Sequence, residues 1–192
     1  MNNWNLLLGR MVTVYWKYAI SLFLTLTLFP TIVCAEVFID DNSTFTLTLP
    51  GGFKKIGSRL TNDGIGDIAS VGNQTAYGSD ELPIRVQTLS EAYVNVNNRN
   101  ATFDIQKACT QRMDGIKGEG CQIEKHEMRN GSCYIQAISE SGRFYYWRIV
   151  VSNNKKAIYK VVVETFPTSS QTLNQYEKIA KEIVESLTIL AK

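Results

Sequence analysis

The side chains able to do chemistry in this sequence are few and widely spaced. His126 is the only histidine in the chain, so any serine–imidazole or thiol–imidazole pair would have to be built on it. No serine sits in the glycine-flanked turn that presents a nucleophile in acyl-transfer enzymes. The cysteines Cys109, Cys121 and Cys133 form no C-x-x-C pair, and one histidine is a poor supplement for a zinc site, so a structural disulfide is expected and no metal. The glycines of Asp63-Gly64-Ile65-Gly66-Asp67 match neither dinucleotide-binding nor phosphate-loop spacing. Eighteen acidic residues always allow some carboxylate pair, which is no sign of glycoside chemistry. The expectation is a protein without catalytic residues and without a cofactor.

The charge distribution points to export. The first 35 residues hold Arg10 and Lys17 but no Asp or Glu, then the apolar run from Ala19 to Phe29, Pro30, and the small-residue exit Val33-Cys34-Ala35. That order is a secretory signal peptide, with cleavage expected after Ala35 and a single domain over residues 36–192. The apolar run is short against the ~20 residues of a spanning helix, so no stable membrane span is expected after cleavage. Cleavage removes two of the 20 Lys and Arg residues and none of the 18 Asp and Glu. The remaining domain is formally neutral, without the global positive charge of a nucleic-acid binder. Its three remaining cysteines fit an oxidising compartment, periplasmic or extracellular, with one disulfide and one leftover thiol.

The elements that must position these residues follow from hydrophobic period and turn chemistry. Phe45-Thr46-Leu47-Thr48-Leu49 alternates cleanly and stops at Pro50-Gly51-Gly52, which predicts a half-buried strand and a turn. Residues Lys54 to Glu81, rich in Gly, Asn, Asp and Ser, read as a long loop with one short strand near Ile68 to Val71. A strand resumes from Pro83 to Ser90. Ile105, Ala108, Cys109, Met113 and Ile116 recur at three- and four-residue steps, predicting a helix over Asn100 to Lys117 closed by Gly118. From Gln122 to Phe166 the turn pairs Asn130-Gly131, Ser141-Gly142 and Asn153-Asn154 separate β-branched and aromatic runs into a meander. A last helix is expected from Thr172, with Gln175 as its capping-box partner and an apolar stripe through Leu173, Tyr176, Ile179, Ile183 and Leu187. The fold class is α+β, an antiparallel meander covered by helices.

The opening Phe45-Thr46-Leu47-Thr48-Leu49-Pro50-Gly51-Gly52-Phe53, followed by a middle helix, a meander and a closing amphipathic helix, resembles the PsbP-like fold. That superfamily includes photosystem accessory proteins, Mog-type nuclear transport factors and DcrB-type envelope proteins. The resemblance implies an α/β/α sandwich and a non-catalytic binding or accessory role, and it carries over no functional residue.

Two-residue turns would fix the meander's register. Lys125 then lies opposite Gln136, Gln136 opposite Trp147, and Trp147 opposite Lys160. This transverse row on one face is the candidate partner-binding surface, an indole between an amide and two ammonium groups. The other face gathers His126, Arg148 and Tyr159, with His126 opposite Ile135 and Arg148 opposite Tyr159, a candidate acid–base cleft. The helix and the strand after it run back on each other, so the expected disulfide is Cys109–Cys121. Two functions fit. One is an exported interaction or accessory protein of the bacterial envelope that binds another protein, an immunity protein against a secreted toxin included. The other is a small-ligand binder or weak hydrolase at His126 and Arg148.

Overall fold

A computed structural model describes residues 35–40, 44–65, 68–94, 102–166 and 170–190. The expected signal peptide, up to Cys34, lies outside the described residues. Phe45, Leu47 and Leu49 are buried, and Thr46 and Thr48 between them are half-buried, as period two requires. They form β2 (Phe45–Leu49), flanked by β1 (Glu36–Ile39) and by β10 (Thr188–Ile189) in a three-stranded antiparallel sheet. The other strands are β3 (Phe53–Ile65), β4 (Ile68–Ser79), β5 (Ile84–Val94), β6 (Cys121–Arg129), β7 (Ser132–Ser139), β8 (Phe144–Val151) and β9 (Ala157–Thr165). They make one antiparallel sheet in the order β3-β4-β5-β9-β8-β7-β6.

Each face of this sheet has its own core. On one face Tyr77, Ile84, Val86, Phe144, Tyr146, Tyr159, Val161 and Val163 pack against β2 and against α2 (Ser170–Glu185), which contributes Ala180, Ile183 and Val184. On the other, α1 (Ile105–Gly118) lays Cys109 and Ile116 over Cys133, Ile135, Ala137 and Ile149. This α+β arrangement, with helices on both sides of the large sheet, agrees with the expected fold class.

Asp104 caps α1, its carboxylate accepting from the Lys107 amide at 2.9 Å. The left-handed residue after α1 is Gly120, φ +76°, and not Gly118, which is still helical. Helix α2 starts at Ser170, ahead of Thr172. The Thr172–Gln175 capping box therefore does not open the helix.

Four expectations are corrected. Lys54 to Glu81 is no loop, because β3 and β4 pair over most of it in one long hairpin from Phe53↔Ser79 to Ile65↔Ile68. Phe53, Thr75 and Tyr77 near its base are buried, and so is Gly72, while Lys54 to Leu60 are exposed. An arm held by main-chain pairing with water on its sides shows no hydrophobic period.

The meander register holds at the first turn and fails at the other two. Asn130 and Gly131, φ +50° and +68°, make the two-residue turn and set Lys125↔Gln136 and His126↔Ile135. The next loop is one residue longer than the Ser141-Gly142 pair, since the Ser139 amide donates to the Arg143 carbonyl across Glu140, Ser141 and Gly142. Gln136 is therefore opposite Tyr146, and Trp147 moves to the face of Ile135. A change of one residue in a loop reverses which side chains share a face. The last loop is two residues longer than Asn153-Asn154, with Lys155 at φ +57°, so Trp147 pairs with Val162 and Lys160 with Ile149.

The two remaining corrections concern the site residues. His126 and Arg148 share no cleft, because the new register sends them to opposite faces. The disulfide is Cys109–Cys133, Cα–Cα 5.9 Å, with Cys121 a free, half-buried thiol. From Cys109 the helix runs on for nine residues, about 14 Å, before the chain turns. Cys121, at the very start of β6, is thus at the far end of α1 from Cys109, whereas Cys133 on β7 faces the middle of the helix.

Candidate functional site

Helix α1 packs on β6, β7 and β8. The same face of β9, β5, β4 and β3 lies outside its footprint and carries Lys160, Gln87, Arg85, Gln74 and Arg59. At the seam between helix and open sheet is a cavity of about 410 Å³, lined among others by Arg112, Trp147, Lys160, Gln87, Arg85 and Glu164. A second cavity of about 390 Å³ shares Arg112 and Lys160 and reaches Phe103 and Asp104 at the start of α1. Together they form a groove along the helix flank.

The groove centres on two stacked groups. The Arg112 guanidinium lies 4.2 Å from the centroid of the Trp147 ring, a cation–π contact. Arg112 Nη2 donates to both carboxylate oxygens of Glu119 at 2.9 Å. Arg112 Nε and the indole Nε1 of Trp147 are both buried and have no acceptor among the described residues. Lys160 Nζ stands 3.4 Å from Glu91. At the far end Glu164 accepts from the Tyr145 hydroxyl at 3.1 Å and from Arg143 at 3.2 Å. Burial, and next the Glu164 charge, push the Tyr145 phenol above its ordinary value. On the open sheet, Arg59 Nε donates to Gln74 and the Gln74 amide donates to Gln87.

The expected row is split between the two faces. Trp147 and Lys160 come together in the groove, joined by Arg112. Lys125 and Gln136 lie under α2 instead, beside Tyr146 and Lys181 around a void of about 30 Å³. His126 is exposed on the edge strand β6. Arg148 faces α2, where its Nη1 donates to the carbonyls of Val184, Glu185 and Leu187 at 3.3, 3.1 and 3.0 Å. Tyr159 is buried edge-to-face against Phe45, centroids 5.9 Å apart, and burial is the main cause of its raised pKa. Sequence reasoning missed Arg112, Arg85 and Gln87. Arg112 was within reach of it, lying four residues after Ala108 and three after Cys109 on the flank of the apolar stripe. Arg85 and Gln87 alternate with the buried Ile84 and Val86 on a strand whose polar face gave no signal of its own.

No protein-family model and no curated protein matches the chain. Solved structures do match in fold. Saccharomyces cerevisiae Mog1p, described as a Ran-binding protein, superposes with a TM-score of 0.50 at 8% identity over 82% of this chain and 96% of its own. A point mutant of Mog1 gives 0.51 at 7% identity, over 82% and 97%. Cyanobacterial PsbP from Synechocystis sp. PCC 6803 gives 0.52 at 7% identity, covering 83% and 94%. The chain therefore has the PsbP/Mog1-like fold.

Proposed function

We propose that this chain is an exported, non-catalytic interaction protein of the bacterial envelope, with its mature N-terminus at Glu36, that docks a partner protein in the groove between α1 and the open sheet. The observation that carries this reading is the Arg112–Trp147 stack. It is an aromatic and arginine anchor in a concave site, the residue types that dominate interface energetics. Ala35–Lys192 cluster as one compact unit, in keeping with a single domain over residues 36–192. The Cys109–Cys133 bridge suits an oxidising compartment. The fold neighbour Mog1p is described as a binding protein, which agrees with an interaction role. The small-ligand or hydrolase reading loses its site, since His126 and Arg148 occupy opposite faces.

Affinity capture from the exported fraction, with the parent chain and W147A side by side, tests the proposal. A partner held by the parent and lost by W147A is the expected result, and equal retention by the two removes the groove from the reading.

A further inference from the structure

We propose that the groove receives carboxylates of an extended acidic segment of the partner protein, and that Glu119 holds their place at Arg112 until the segment binds. This rests on the groove being the docking site and names the chemistry of what docks. Donors outnumber free acceptors in the groove. The rim carboxylates are already engaged: Glu119 by Arg112, Glu164 by Arg143 and Tyr145, Glu91 by Lys160. Arg112 Nε and Trp147 Nε1 have no acceptor among the described residues, and a buried donor left so destabilises the site until an acceptor reaches it. Arg85 is exposed, lines the same cavity and makes no ion pair among the described residues. The amide chain from Arg59 through Gln74 ends on Gln87, whose NH2 is still available to donate.

An incoming group therefore meets N–H donors and positive charge. A planar carboxylate matches guanidinium geometry better than any other protein group. Glu119 already shows that match on Arg112, and its side chain is 58% exposed, against 23% for Arg112. The pair at the mouth can thus exchange one carboxylate for another, and the turn of the Arg112 side chain uncovers the indole N–H. Helix α1, 14 residues long, gives the groove about 21 Å. That is room for roughly six extended residues.

The test uses the full chain carrying W4F and W16F, which leaves Trp147 as the only indole, and follows its fluorescence. The probes are capped hexapeptides rich in Glu and Asp, rich in Lys, or made of Ser and Asn, together with free glutarate. The acidic peptide is expected to bind, to weaken as salt rises, and to outcompete the other probes. R85E is expected to weaken it roughly tenfold, the effect of losing a charge-assisted hydrogen bond. E119Q removes the internal competitor and is expected to tighten it roughly two- to fivefold, the scale of an exposed ion pair. Equal binding of the Ser/Asn peptide overturns the acidic class while leaving the groove as a docking site. Glutarate binding as tightly as the peptide overturns a protein segment as the source. Weaker binding by E119Q overturns the place-holding role. No response to any probe overturns the inference, and whether the groove docks a partner at all is then read from the W147A capture.

Discussion

The guanidinium of Arg148 sits where helix α2 ends, donating to the carbonyls of Val184 and Glu185, which the helix cannot satisfy for itself, and to that of Leu187 just beyond it. R148M keeps the stem and removes the donors. It is expected to lower stability by about 1.5–3 kcal/mol in urea unfolding, the value of hydrogen bonds to a charged donor. The groove on the other face should keep its ligand affinity. Arg112 does a different job with the same side chain, leaving one donor unmatched over an indole. From the sequence, Arg148 was visible as a polar residue amid Tyr146, Trp147 and Ile149, but its acceptors lie 36–39 residues further on. Only the folded chain brings them near. Trp147 and Lys160 were legible as a pair because the last loop is longer by two residues, which keeps them on one face. Lys125 and Gln136 dropped away because the middle loop is longer by one.

At the scale of elements, the disulfide fixes α1 to β7 and with it the helical wall of the groove. It closes a loop of 24 residues, worth about 3 kcal/mol by chain entropy. C109S/C133S is expected to lose about that much in denaturant unfolding, and the parent chain over residues 36–192 to show one thiol, Cys121, by labelling under denaturing conditions. Two reactive thiols besides Cys121 would contradict the bridge. The helix α1 itself was readable from its stripe, yet the pairing of its cysteine was not. Spacing along the chain does not say which strand passes beneath a helix. The β3–β4 arm was illegible for another reason. Its pairing is carried by backbone, and Gly, Asn and Ser in an exposed ribbon look like a loop to any argument based on apolar period.

Residues 36–192 are formally neutral, so the response of the fold to pH comes from particular groups. Burial raises the pKa of Tyr145, Tyr146 and Tyr159. The folded state then holds these protons more tightly than the unfolded state, whose tyrosines titrate near ~10. Their stabilising effect is complete below that value and is lost as pH climbs through the higher folded values. Alkaline unfolding followed by circular dichroism is expected to begin above about pH 10, and Y159F to move it to higher pH. The α+β class was legible at this scale because β2, the Asn130-Gly131 turn and the α2 stripe each carry a strong local signal. The consecutive order of β6 to β9 was legible as well, from the turn pairs, but the pairings of β5 with β9 and of β2 with β10 were not, because they join distant parts of the chain. One of these has a kinetic meaning. β2 is completed by β10, with Thr46 beside Thr188, so the first buried strand waits for nearly the last residues of the chain. Until they arrive, Phe45, Leu47 and Leu49 keep one side without its neighbour. Closing a pairing between residues so far apart in the chain is slow, so the small sheet is expected to gain its third strand after the hairpins of the large sheet have formed.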